Sequence, residues 1–145
     1  MTTPVNADPS YDIQVAMAAA LLADSAVTAL VGQNVVDPLA APNTSYPLIE
    51  IGDDQVIGTA DQSAAGSEVY STIHVWANGP WGRLVAKQIV DQVRRVLSEP
   101  LTLANHQMNS ALFHSARFFV DTDPTDQGQI AHGVVVFQFR TLPTV

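Results

Sequence analysis

The sequence of 145 residues has no cysteine, only six Lys and Arg residues, and few charges of either sign. The lack of cysteine excludes disulfides, thiol catalysis and cysteine-bound zinc. Fourteen Asp and Glu residues give a net charge of −8, so the chain lacks the basic surface that neutralises nucleic-acid phosphates. Charged residues make up 14% of the chain, against about 25% in a typical soluble domain. So little charge favours an extended protein interface, although a neutral surface rich in Ala and Thr would also explain it.

The length and a hydrophobic content of 47% predict one globular domain over residues 1–145, with a loose N-terminus at residues 1–8. No basic region precedes an apolar run, so we expect no signal peptide and synthesis in the cytoplasm. The apolar stretch at residues 13–22 is too short to span a bilayer, and we expect no membrane partner.

A strand, a tight turn and a helix are predicted at the centre of the chain. Residues 68–77 alternate between apolar and polar side chains, which is typical of a strand with one face on a core. After an Asn-Gly-Pro turn, residues 81–97 place apolar side chains at helical spacing, with Arg83, Lys87 and Arg94 on the opposite side. The pattern therefore predicts a helix lying on a sheet.

The flanking segments complete an α+β fold. An N-terminal helix capped by Asp8 and a short second helix capped by Asp24 are predicted before the first strand. The other predicted strands are residues 35–37, 48–51, 101–103, 110–120 and 130–141. We expect a mostly antiparallel β-sheet with an N-terminal helix and a central helix packed on one side.

Strict alternation in residues 110–120 gives two expected faces. The first holds Leu112, His114, Ala116, Phe118 and Val120, and the second holds Ala111, Phe113, Ser115, Arg117 and Phe119. Both are largely apolar, so we expect a strand that is central or covered by an interface.

The polar segment 52–66 is too long for a tight hairpin and too polar for a core. Two interpretations stay open: a mobile loop, or a β-arm that becomes ordered on a neighbouring subunit.

No motif for catalysis or metal binding occurs. Nucleotide-binding glycine loops and the nucleophile elbow of hydrolases are absent. The four histidines, His74, His106, His114 and His132, do not have the spacing of metal ligands. Glu50, Asp53, Asp54 and Asp61 are close in sequence, but their Gly-rich setting favours a solvated loop. We predict no catalytic, cofactor-binding or metal-binding residues, and no enzymatic activity.

The order of local motifs resembles one family. The chain has Leu-x-Ala-Asp-x-x-Val-x-x-Leu-Val-Gly at residues 21–32, Tyr-Pro-Leu-Ile-x-Ile-Gly at 46–52, His-Val-Trp at 74–76 and His-Gly-Val-Val-Val-Phe at 132–137. This pattern resembles the tail-terminator or tail-completion proteins of long-tailed phages and gene transfer agents. The resemblance covers nearly the whole chain, and its motifs are structural.

The resemblance implies a structural virion protein that forms a ring, commonly a hexamer. The ring would cap the completed tail tube and join it to the head-proximal connector or stopper protein, without a cofactor. Assembly would take place in the host cytoplasm, and the protein would end in the tail-neck region of the virion. DNA would pass through an acidic ring without specific binding.

Two other functions remain as alternatives: a neck or head-completion protein next to the terminator, and a small α+β ligand-binding domain or enzyme. For the assembly, the cations of the predicted central helix are the candidates for docking on an acidic patch of a neighbour or partner, and one tryptophan and three acidic residues are further candidates for protein contacts. These candidate interface residues are Arg83, Lys87, Arg94, Trp81, Asp53, Asp54 and Asp61.

Overall fold

The computed structural model describes residues 8–37, 45–59, 66–122 and 129–144. Within these ranges the chain forms three helices and five strands. The helices are α1 (Ser10–Ala23), α2 (Ser25–Val31) and α3 (Gly82–Leu97). The strands are β1 (Val35–Val36), β2 (Leu48–Gly58), β3 (Ser67–Asn78), β4 (His106–Thr122) and β5 (Gln129–Pro143).

The five strands form a single sheet in the order β1-β2-β3-β5-β4. Only the short β1–β2 pair is parallel, and all other neighbours are antiparallel. β3 and β5 are paired along the whole of β3, from Ser67 opposite Thr141 to Asn78 opposite Ile130. The predicted fold class, an α+β domain with a mostly antiparallel sheet, is confirmed.

The core lies between one face of the sheet and the helices. The apolar positions predicted for β3 and β5 are fully buried there, together with one side of α1 and of α3. The principal core residues are Ile13, Met17, Leu21, Val69, Ile73, Val75, Ile89, Val93, Leu97, Val135, Phe137 and Phe139. Each large side chain of this kind contributes roughly 1.5–3 kcal/mol by leaving water. We call this the covered face of the sheet, and the opposite side the open face.

A buried polar contact fixes the N-terminus of α1 to the start of β4. The Asp12 carboxylate accepts hydrogen bonds from His106 Nδ1 at 2.7 Å and from the Asn105 backbone N–H at 2.8 Å. Both side chains of the Asp12–His106 pair are buried. The hydrogen bond from His106 is the main cause that holds the pKa of Asp12 below its usual value. This contact joins two elements that are more than ninety residues apart in sequence.

One of the two predicted helix caps is confirmed. Asp24 accepts hydrogen bonds from the backbone N–H groups of Ala26 and Val27 and so caps α2. The prediction of Asp8 as the cap of α1 was wrong, because the helix begins at Ser10 and its N-cap residue is Pro9, which provides no side-chain cap. Asp8 lies one residue earlier and accepts a hydrogen bond from the Ser10 backbone N–H.

Two strand predictions were wrong. Residues 101–103 do not form a strand of their own, since only Thr102 makes an isolated bridge, to Gln107. The alternation predicted for residues 110–120 is interrupted by a bulge between Phe113 and Ser115. A bulge inserts one unpaired residue, so the side chains beyond it change face. Phe113 and Phe118 consequently both pack against the core, although strict alternation assigns them to opposite faces.

The segment 52–66, for which a mobile loop and a β-arm were both left open, begins as a strand. Residues 52–58 continue β2, and residues 54–58 pair with β3, as far as Gly58 opposite Ser67. The hairpin is drawn together where the Thr59 N–H donates to the Gly66 carbonyl at 3.0 Å. Residues 60–65, which include Asp61, lie outside the described part of the chain, as do residues 1–7 of the predicted loose N-terminus. The ordering of this segment on a neighbour stays a prediction.

Candidate interaction surfaces

A groove lies at the start of α3, next to the last residues of β4 and the first residues of β5. Gly79 has a φ of +90°, a conformation that favours glycine, and lets the chain turn sharply from β3 into the helix. Trp81 follows the turn and is 72% exposed. The groove has a volume of about 390 Å³. We call it the Trp81 groove and define it by Trp81, Arg83, Leu84, Lys87 and Val120.

The cations of α3 have different surroundings. In the described part of the chain, neither Arg83 nor Lys87 contacts a carboxylate. The Arg94 guanidinium instead lies over the Phe113 ring, 3.9 Å from its centroid. Arg95 forms an ion pair with Asp24 at 2.7 Å. Of the predicted interface residues, the groove therefore brings together Trp81, Arg83 and Lys87 and does not include Arg94.

The outer edge of β2 is a second exposed surface. β1 pairs only with the beginning of β2, at Ile49 and Glu50. From residue 51 to residue 58 no described residue pairs with this outer edge, which we call the arm edge. Val56 and Ile57 are both exposed on it. An unpaired edge with exposed aliphatic side chains is a surface on which another chain can dock.

The predicted acidic residues Asp53 and Asp54 also lie on the arm edge, at the irregularity in the register of β2. Asp53 is exposed, whereas Asp54 is half-buried opposite Ser71. Burial is the main cause that raises the pKa of Asp54, and the negative charges of Asp53 and Asp8 act in the same direction. The structure therefore places Asp53 and Asp54 on one surface and Arg83 and Lys87 on another.

The open face carries a cluster of aromatic and histidine side chains that the sequence analysis did not identify. The Trp76 and His132 rings stack with centroids 3.7 Å apart. His74 Nδ1 and His132 Nε2 are hydrogen-bonded at 2.7 Å. The Trp76 indole N–H donates to the Glu50 carboxylate at 3.2 Å. The polar and amphipathic side chains at alternate positions of β3 indicated that this face exists, but the residues that His74 and Trp76 contact lie on β2 and β5.

A second polar network on the open face is centred on Glu68. Its carboxylate accepts hydrogen bonds from the Tyr70 hydroxyl at 2.7 Å and from the Gln138 amide at 2.6 Å. Arg140 lies 3.7 Å from the same carboxylate. The hydrogen bond to Glu68 is the main cause that raises the pKa of Tyr70. These four polar side chains are thus engaged with one another.

The outer side of α1 is apolar as well. Ile13, Met17 and Leu21 are buried on the inner side of α1, whereas Tyr11 and Val15 are exposed on its outer side.

No single helix in the described ranges has the length and hydropathy of a membrane span. Only α1 and α2 taken together reach those limits, and they are bent by 85°.

Among the described residues, no three His, Asp or Glu side chains are grouped as metal ligands. His74 and His114 instead make hydrogen bonds to His132 and Ser115. What these surfaces offer chemically is apolar contact, charge and unpaired strand edge, which are the means of protein association.

Sequence comparison with protein families decides the identity of the chain. The family described as "Tail completion protein gp17" matches residues 15–142. The chain belongs to this family. It is therefore a structural tail-completion protein of phage-like particles, and the resemblance noted in the sequence is confirmed.

Solved structures share the fold of this tail-completion protein. A chain from the virion of a native gene transfer agent particle is similar, with a TM-score of 0.77 and 22% identity over 92% of this chain and 96% of that chain. The gp17 protein of bacteriophage SPP1 is similar, with a TM-score of 0.55 and 23% identity over 90% of this chain and 88% of that chain. No curated protein sequence matches the chain.

Proposed function

We propose that this tail-completion protein forms a hexameric ring that caps the finished tail tube and joins it to the head-proximal connector. The observation that carries the proposal is the family match over residues 15–142, which spans the fold from α1 to β5. The two exposed surfaces support it, because a ring subunit needs one surface for each of its two neighbours.

The charge of the chain supports passage of DNA through such a ring. The net charge is −8, and two of the six cations, Arg95 and Arg140, are paired with carboxylates. An assembly of acidic subunits repels phosphates, so DNA passes without specific binding. In this role the protein is not an enzyme and needs no cofactor.

Deletion of the gene tests the proposal. Without a cap, tube polymerisation has no defined end and no joint to the head, so we expect overlong tails and separate, DNA-filled heads. Electron microscopy of lysates gives the tail-length distribution and the fraction of heads joined to tails. Expression of the wild-type gene from a plasmid is the control and should restore both.

Two outcomes contradict the proposal. Tails of normal length beside heads that have lost their DNA indicate a neck or head-completion protein. Normal particles with a metabolic defect in the host indicate a ligand-binding domain or an enzyme.

A further inference from the structure

The Trp81 groove has the chemistry of a site for an acidic, partly apolar segment. Trp81 at the N-cap and Leu84 in the first turn of α3 expose apolar surface, although most other apolar side chains of the helix are buried or half-buried. Arg83 and Lys87 border this apolar surface and contact no carboxylate in the described ranges. Exposed aromatic and aliphatic residues beside unpaired cations are features of an interface centre and its rim.

The arm edge has the complementary chemistry. It combines exposed aliphatic side chains at Val56 and Ile57 with the exposed carboxylate of Asp53. Its backbone groups from residue 51 to residue 58 are unpaired on the outer side, among the residues that the structure describes. A strand edge of this kind gains hydrogen bonds and apolar contacts by docking on another surface.

The aliphatic part of the arm edge and the groove lie at opposite ends of β3. The arm edge begins opposite Ile73, near the middle of β3, but Val56 and Ile57 pair with Val69 and Glu68, close to its first residue, whereas α3 begins just after its last. Nine to ten strand residues separate these pairs from the end of β3 at Asn78, which corresponds to roughly 30 Å at about 3.3 Å per residue. One copy therefore cannot dock its own arm edge in its own groove.

We propose that the Trp81 groove of each copy binds the arm edge of the next copy of this chain. Because the two surfaces differ and lie at opposite ends, the contact is head-to-tail and can close into a ring by rotation. Their opposite charges favour this pairing over groove–groove or edge–edge contacts. The inference rests on the proposed ring and names the surfaces that form it.

Cross-linking in assembled particles tests the contact. The chain has no cysteine, so Ile57→Cys with Leu84→Cys introduces the only two thiols. These positions lie roughly 30 Å apart in one copy, on the rise of about 3.3 Å per strand residue, so a short bismaleimide can join them only between copies. Purified particles treated with the reagent should give a ladder of covalent multimers on a denaturing gel.

The control pair is Leu112→Cys with Leu84→Cys, which moves the first thiol to the open face. Leu112 is 54% exposed, against 42% for Ile57, so it is at least as open to the reagent. We expect no ladder from this pair or from either single variant. Particles with joined heads and normal tails that give no ladder with the Ile57 and Leu84 pair overturn the contact but leave the proposed function intact. A ladder from the control pair assigns the groove to the open face instead.

A charge exchange decides the question if the cysteine variants fail to assemble. Asp53→Lys and Lys87→Glu should each lower the fraction of heads joined to tails by tenfold or more, and their combination should recover at least half of it. If the combination is no better than the single variants, the charge pairing is wrong. Circular dichroism of each purified variant verifies that it is folded.

Discussion

The middle and the beginning of helix α3 use apolar residues in two different ways. Ile89 and Val93 are buried against the sheet, whereas Leu84, in the first turn of the same helix, is 57% exposed. The same helix therefore contains residues that stabilise the fold and residues that the isolated fold leaves in water. Because burial, not apolar character alone, provides stability, the first turn is available for assembly without a cost to folding.

The largest expected effect is on the buried part of α3. Ile89→Ala removes a side chain that is fully enclosed, so we expect a loss of about 2–5 kcal/mol in the free energy of unfolding. Leu84→Ala is the matched control and should stay within about 0.5 kcal/mol. Urea denaturation followed by circular dichroism measures both. Equal losses for the two variants would remove the distinction between the two parts of the helix.

Helix α1 also has a buried and an exposed side, but here a charged residue, Asp12, is buried while the apolar residues Tyr11 and Val15 are exposed. Asp12→Asn keeps the size of the side chain but weakens its hydrogen bonds to His106 and Asn105. We expect a loss of about 1.5–3 kcal/mol at pH 7, as for hydrogen bonds that involve a charged group. Tyr11→Ser is the exposed control and should have little effect on unfolding.

The contribution of Asp12 to the free energy of unfolding should depend on pH. The pKa of Asp12 is lowered in the folded state, so its contribution is present above the unfolded value of about 3.9 and is lost as the pH falls through the folded value. The difference between wild type and Asp12→Asn should therefore shrink in acid. An Asp12→Asn difference that grows as the pH falls would contradict this account.

The contribution of Asp54 to stability has the opposite sign, because burial raises its pKa and its ionised form therefore lowers stability at neutral pH. Asp54→Asn should be neutral or stabilising at pH 7.

A smaller effect separates two exposed cations of α3. Arg94→Ala removes the guanidinium from the Phe113 ring, and we expect a loss of about 0.5–1 kcal/mol. The Lys87 ammonium lies farther from an aromatic ring, 5.6 Å from the Phe118 centroid, and Lys87→Ala should stay within about 0.5 kcal/mol. Thermal or urea unfolding of the two variants under the same buffer gives the comparison. An equal loss for both would show that the stacked geometry contributes nothing.

Periodicity predicted the covered face well because burial acts on each strand and helix separately. The alternation in residues 68–77 and the helical spacing in residues 81–97 both identified residues that are now in the core. Periodicity failed in β4, because a bulge inserts one unpaired residue and the side chains beyond it change face, which the order of apolar and polar residues does not reveal.

The candidate site was harder to predict, because it depends on contacts between distant elements. Trp81 and Lys87 were recognised as exposed candidates, but Val120 comes to the same groove from β4. Arg94 was placed with the interface cations, and only the structure shows its contact with Phe113. The stack of Trp76 and His132 joins β3 and β5, and no spacing within one segment reveals such a pair.

The most direct test of the account compares two exposed leucines by counting heads joined to tails. Leu84→Asp places a charge in the Trp81 groove, and Leu112→Asp places the same charge on the open face at nearly the same exposure, 57% against 54%. Both variants should fold with a stability within about 0.5 kcal/mol of wild type. We expect electron microscopy to show few joined particles for Leu84→Asp and a wild-type fraction for Leu112→Asp. A wild-type fraction for Leu84→Asp would contradict the claim that the start of α3 serves assembly.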